Sequence, residues 1–296
     1  MRIVSLLPSA TEILFALGVG EHVVGVTHEC DVPEAARALP KVTGNALEQG
    51  RPSGEIDRHV RAAVHGGSSI YRLDRDALER LRPDLVVTQE LCGVCAVSYA
   101  EVSTAVKRMT HDARVVSLDP HTLDEVLDTF STLGELVGAP ERALALCERF
   151  RGELDELRRR GATLRRLRLL FLEWLDPPMN AGHWNPELLE AAGVETLLSA
   201  PGRDAHRVTW EAIVEADPDA ILAAPCGMDV AAVEDELTRL AAVPEWQALR
   251  AVANGAVCVL DGSRYFARPG PSLVEGARLL QDWVEAYFVP SSGQKP

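Results

Sequence analysis

The chain repeats one order of elements in its two halves, and that repetition restricts the fold more than any other feature. Near the start, a hydrophobic run from Arg2 to Leu7 meets Pro8, and a helical stretch with Glu12, Ile13 and Leu14 leads to Gly18-Val19. In the second half, Leu167 to Leu172 is followed by a Pro-rich segment, and a helix with Glu187, Leu188 and Leu189 leads to Gly193-Val194. Further on, Arg82-Pro83-Asp84 precedes a strand pattern over Leu85 to Thr88, as Asp217-Pro218-Asp219 precedes one over Ala220 to Ala224. A third pair, Arg114 to Leu118 and Ala256 to Leu260, runs into Asp119 and Asp261. Helix and strand periods alternate throughout, the mark of mostly parallel sheets covered by helices. The expected fold is α/β, with two similar Rossmann-like lobes.

The spacing places the first lobe at 1–120, connecting helices at 121–163, the second lobe at 164–290 and a tail at 291–296. Two consecutive helices are expected between the lobes. In the longer one, Ala143, Cys147, Phe150, Leu154 and Leu157 recur at alternating steps of four and three and form one apolar stripe. With no Gly/Ser-rich hinge, this connection is expected to be rigid. At 296 residues, each lobe has enough chain for a core of its own.

The formal net charge of -14 repels phosphate backbones, so nucleic acid is excluded as a partner. No apolar run reaches the length of a membrane span, which excludes membrane insertion. Arg2 is the only early cation, and Ser9-Ala10-Thr11-Glu12 reads as a capping box placed straight after a strand. The start of the chain thus reads as fold, not address, and the expected location is the cytoplasm, where six cysteines would stay reduced. The alternative is a periplasmic or cell-surface protein whose leader has been removed.

Open parallel sheets bind ligands in the loops after their strands. Here those loops gather Cys30, Cys92, Cys95 and Cys226, together with Trp174, His183, Trp184, Tyr265 and Phe266. The C-x2-C spacing of Cys92 and Cys95, completed by Cys30 and Cys226, suits a zinc ion or an iron–sulfur cluster. Two other readings stand beside it: small soft side chains packed in a tight crevice, or a redox pair. Cys147 and Cys258 read as core. The rings suit a large planar or macrocyclic ligand, while Trp184 and Phe266 could equally anchor their own loops. No P-loop, dinucleotide loop, H-E-x-x-H or G-x-S-x-G is present, so no enzyme activity is expected.

Five segments together resemble one family: SLLPSATEILFALG, SIYRLDRDALERLRPDLVVTQELCGVCAVS, GHWNPELLEAAG, DPDAILAAPCGM and SRYFARPGPSLVEGARLL. They are similar to the cobalamin-binding, helical-backbone class of ABC-transporter substrate-binding proteins, in its cysteine-bearing branch without export signal. That resemblance implies a class III periplasmic-binding-protein-like fold, two lobes on a long backbone helix with a corrinoid, haem, siderophore or metal between them. Carried over by position, the ligand-facing residues would be Pro8, Ser9, Cys92, Trp174, His183, Trp184, Cys226, Tyr265 and Phe266. The expected function is non-catalytic binding of cobalamin or a related corrinoid, with an ABC permease as partner if the protein is exported. The alternative is a cytoplasmic metalloprotein or enzyme with a Cys-ligated zinc or iron–sulfur site.

Overall fold

The computed structural model describes residues 1–45, 50–65, 71–89 and 99–288. The chain divides into two compact units. The first holds Met1–Arg51, Glu55–Pro120 and Asp124–Glu148; the second holds Pro52–Gly54, His121–Leu123 and Arg149–Pro296. Helix Pro140–Gly161 therefore begins in the first unit and ends in the second. Its stripe residues Ala143, Cys147, Phe150, Leu154 and Leu157 are all buried.

In the first unit the strands are β1 (Ile3–Ser5), β2 (Val23–Val26), β3 (Thr43–Asn45), β4 (Tyr71–Leu73), β5 (Leu85–Thr88) and β6 (Arg114–Ser117). Four of them form a parallel sheet in the order β2-β1-β5-β6, with Ile3 opposite both Val23 and Leu85. The β5 side chains are buried along its whole length, as expected of a parallel strand covered on both faces. Val4, Leu6, Val86, Leu78 and Val102 share one core cluster with Val42. β3 and β4 pair antiparallel, an element that the sequence pattern does not announce.

The second unit contains β7 (Arg168–Leu172), β8 (Trp174–Leu175), β9 (Pro178–Met179), β10 (Glu195–Thr196), β11 (Ala220–Ala223) and β12 (Val257–Val259). Its parallel sheet runs β10-β7-β11-β12, the same topology as the first. Leu169 to Leu172 are buried, and the Phe171 ring meets Phe266 edge-on at 5.2 Å between centroids. Two similar α/β lobes with parallel sheets are thus the observed fold.

The same local device enters the third strand of each sheet in space. Helix Arg75–Leu81 is capped by Asp74, whose carboxylate accepts from Ala77 N–H at 2.8 Å, and ends at Arg82 with φ +45° before Pro83. Helix Trp210–Ala216 is capped by Thr209, which accepts from Ala212 N–H at 3.2 Å, and ends at Asp217 with φ +39° before Pro218. Proline cannot continue a helix, and a left-handed residue before it turns the chain into the strand.

One local expectation fails. Helix Pro8–Ala16 has Leu7 as its N-cap, with no side-chain cap, so Ser9 and Glu12 form no capping box. Pro8 at the first helical position has no N–H to satisfy, which removes part of the need for a cap. Thr11 Oγ1 instead donates within the entry turn, lying 2.9 Å from Ser5 Oγ and 3.1 Å from Leu7 O. Among the described residues, no helix is long and apolar enough to cross a membrane.

Candidate functional site

In the first unit, the turn out of β1 presents Pro8, which is half-buried, while Ser9 lies beneath the surface at 5% exposure. Cys30, in the loop after β2, is 1% exposed, and its Sγ sits 3.1 Å from Thr11 Oγ1 and 3.7 Å from Thr27 Oγ1. This thiol belongs to a hydrogen-bonded interior and presents no open face to a metal. Cys92 and Cys95 lie outside the described residues. Cys226 belongs to the second unit, where it is half-buried and its N–H donates to Glu173 O at 3.1 Å. Among the described residues no cysteine joins a metal-competent group, so the four-thiolate zinc or iron–sulfur site finds no support. Cys147 and Cys258 are interior, and burial pushes the Cys258 thiol up to about 12.

The second unit holds a more developed constellation. Glu173, just after β7, accepts from Gly182 N–H at 3.0 Å and from Asn185 Nδ2 at 2.6 Å, and so ties down the loop that carries His183 and Trp184. His183 has φ +54°, an uncommon conformation for a residue with a Cβ. Backbone contacts hold it there: its N–H donates to Arg203 O at 2.6 Å, and its carbonyl accepts from Gly202 N–H at 3.0 Å. At Gly182 a Cβ would come within 2.3 Å of Ala205 N, so glycine is what lets the two segments close. Burial is the largest influence on the His183 imidazole and lowers its pKa, opposed by Asp204 and reinforced by His121.

Trp184 and Phe266, read from sequence as ligand-facing, are 3% and 1% exposed. Trp184 Nε1 donates to Phe266 O at 3.0 Å, and the Phe266 ring packs on Phe171. Their burial supports the anchoring alternative: they brace the loops and offer a ligand almost no surface. Trp174 and Tyr265 keep accessible faces. Trp174 Nε1 donates to Asp176 O at 3.0 Å, and the Arg264 guanidinium lies 5.1 Å over the Tyr265 ring.

Sequence reasoning misses two neighbours of His183. His121 and Asp204 bring one donor atom each to within 4.8 Å of one another and of the His183 ring. They come from separate loops with no motif spacing, and the only sequence signal is the His-Trp pair itself. Beside them, Asn180, Leu198, Ser199, Ala200, Arg203, Asp204 and His206 line a cavity of about 560 Å³. Asn180 organises it by accepting from His206 N–H at 2.7 Å.

The family model described as "Periplasmic binding protein" matches residues 3–263. An uncharacterised ABC transporter substrate-binding lipoprotein, YvrC of Bacillus subtilis, is 27% identical, over 96% of this chain and 79% of its own. The vitamin B12-binding protein of Vibrio cholerae is 23% identical, over 96% and 89% respectively. Among solved structures, the periplasmic vitamin B12-binding protein BtuF of Vibrio cholerae superposes with a TM-score of 0.68 at 21% identity, covering 98% of both chains. The periplasmic heme-binding protein BhuT, in complex with two hemes, superposes with a TM-score of 0.73 at 22% identity, covering 97% of this chain and 99% of its own. At such identities the structural likeness speaks for the fold.

These findings overturn the cytoplasmic placement, since the relatives are lipoproteins or periplasmic proteins. The premise of permanently reduced thiols loses its footing with it. They also identify a binding protein and not an enzyme. With a match over most of its length and the same two-lobed architecture, the chain belongs to the periplasmic binding protein family.

Proposed function

We propose that this protein is the substrate-binding component of an ABC transporter, that it takes a corrinoid of the cobalamin type, and that it acts outside the cytoplasm. The observation that supports this most is the near end-to-end likeness to proteins named for binding vitamin B12. The accessible residues assigned to ligand contact are Pro8, Trp174, His183, Cys226 and Tyr265. Ser9, Trp184 and Phe266 are buried, and Cys92 is assigned by position alone. Aromatic faces suit the flat apolar parts of a macrocycle, and a neutral imidazole is able to approach a central metal.

The test is a titration of purified protein with hydroxocobalamin, read by its visible spectrum and by melting temperature. At a free ligand concentration of about 100 times Kd, stabilisation reaches about 2.7 kcal/mol, well within what a melting curve resolves. Haemin is titrated in parallel. A response to haemin alone moves the assignment to haem, and no response to either at concentrations far above micromolar overturns the tetrapyrrole reading.

A further inference from the structure

We propose that His121, His183 and Asp204 form a binding site for a borderline divalent transition-metal ion such as zinc. The site is distinct from the cysteine set and shares only His183 with the residues assigned to corrinoid contact, so it stands or falls on His121 and Asp204.

The three donors lie within one unit. His183 Nε2 is 3.3 Å from Asp204 Oδ1, His121 Nδ1 is 3.7 Å from the same oxygen, and no pair of donors exceeds 4.8 Å. Metal–nitrogen bonds of about 2.0–2.1 Å put donors about 3.3 Å apart around a tetrahedral ion. Two of the observed separations, 3.3 and 3.7 Å, are therefore close to those of a ligand shell already. His183 Nε2 is buried without a well-aligned hydrogen bond, an unusual position for a polar atom and one that a metal would satisfy.

What gathers these groups is backbone, not their own attraction. His183 is fixed through Arg203 O and Gly202 N–H, which sets Asp204 opposite it. His121 precedes Leu123, whose N–H donates to Glu187 Oε2 at 2.6 Å, and Gly202 abuts Thr122. A site held by supporting contacts of this kind needs little reorganisation on binding. The two imidazole rings stand 5.4 Å apart at a tilt of 40°, so both can direct a nitrogen to a common point. Imidazole and carboxylate oxygen are the donor types that suit zinc, nickel and copper(II). His121 and Asp204 are the exposed members, with side chains 42% and 76% accessible, which leaves ion entry open. Three protein donors also leave a coordination position for water or an added chelate.

The experiment uses the whole chain, with zinc affinity measured by calorimetry and cobalt(II) substituted as a spectroscopic probe. Expected are one ion per chain and a cobalt spectrum without the intense near-ultraviolet sulfur charge-transfer band. His121→Ala and Asp204→Asn, both at accessible positions, should each weaken binding by about tenfold or more. His59→Ala, elsewhere on the surface, should leave it unchanged. His183→Asn serves as a third variant, since asparagine tolerates positive φ. A sulfur band, absence of stoichiometric binding, or affinity indifferent to His121→Ala and Asp204→Asn each overturns the site.

Discussion

The two halves share a sheet topology but use their first crossover differently. In the first unit β1 turns directly into helix Pro8–Ala16, through a buried hydroxyl and thiol cluster of Ser5, Thr11 and Cys30. In the second unit β7 is followed by the short antiparallel pair of β8 and β9, then by a loop pinned to Glu173 before helix Asn185–Ala191 begins. The inserted pair gives the second unit its exposed Trp174 face and the strained His183. Repetition of the frame leaves the strand ends equivalent; the extra residues after β7 are what set the second crossover apart from the first.

The sharpest break in the equivalence is between Gly18 and Gly193, which end the corresponding helices with φ of +67° and +91°. A Cβ on Gly18 would meet only the end of the flexible Arg142 side chain, at 2.7 Å. On Gly193 it would strike backbone of Gly161 at 2.6 Å, where nothing can swing away. Both alanine variants carry a left-handed penalty of about 1–2 kcal/mol. Gly193→Ala adds overpacking of about 1–3 kcal/mol and should be clearly the more destabilising of the two. Urea unfolding of the two variants checks this. Equal losses would show that the second unit relaxes at this contact as readily as the first.

A smaller asymmetry separates Asp84 and Asp219. Each carboxylate accepts from the N–H that opens a strand: Arg2 N to Asp84 at 2.6 Å, and Arg168 N to Asp219 at 3.1 Å. In return, the Asp84 N–H donates to Arg2 O and the Asp219 N–H to Arg168 O. Asp219 also takes a cation, Arg250 Nη2 at 3.0 Å. Burial pushes the Asp219 carboxyl up, but the Arg168 N–H and the Arg250 guanidinium outweigh it and hold the pKa below the ordinary range. A depressed carboxylate pKa contributes stability above the unfolded value of about 3.9, and that contribution is lost as pH falls through the folded one. Asp219→Asn should therefore cost about 1–2 kcal/mol at pH 7 and less at pH 3, with Asp84→Asn costing about half as much. Urea unfolding at the two pH values reads both.

The strands are the legible part of this fold. β2 and β5 fall where the apolar runs place them, because buried parallel strands are mostly continuous hydrophobic stretches, β5 being opened by Pro83-Asp84. β3 is not legible: Thr43–Asn45 has only half-covered or exposed side chains and a central glycine, so no alternation marks it. The start of the first helix misleads because Ser9 and Glu12 have capping spacing, while Pro8 has already begun the helix. For the site, the sequence indicates His183 through its tryptophan neighbour but cannot show that Trp184 is interior. His121 and Asp204 are invisible in it because backbone hydrogen bonds to Glu187 and between His183 and Arg203 assemble the cluster, and such contacts leave no spacing in sequence.

The loops after the edge strands β2 and β10 carry different polar groups. After β10 the second unit leads to Asp204 on an exposed loop; after β2 the first unit leads to His28, which is half-buried. His28 Nδ1 lies 2.8 Å from Thr43 Oγ1, and its ring meets Tyr71 at 5.5 Å. Burial lowers its pKa, Glu29 opposes that shift, and Lys41 adds to it. An imidazole whose folded pKa lies below the unfolded value of about 6.5 takes up fewer protons folded than unfolded, so its contribution is complete above that value and declines as pH falls below it. His28→Gln, which keeps a polar contact to Thr43 and cannot titrate, should flatten the decline in stability between about pH 7 and 5 while changing little at about pH 7.5. Urea midpoints across that range, compared with those of His206→Gln from the other edge loop, isolate the effect. An unchanged slope in His28→Gln would show that His28 contributes nothing to the loss of stability on acidification.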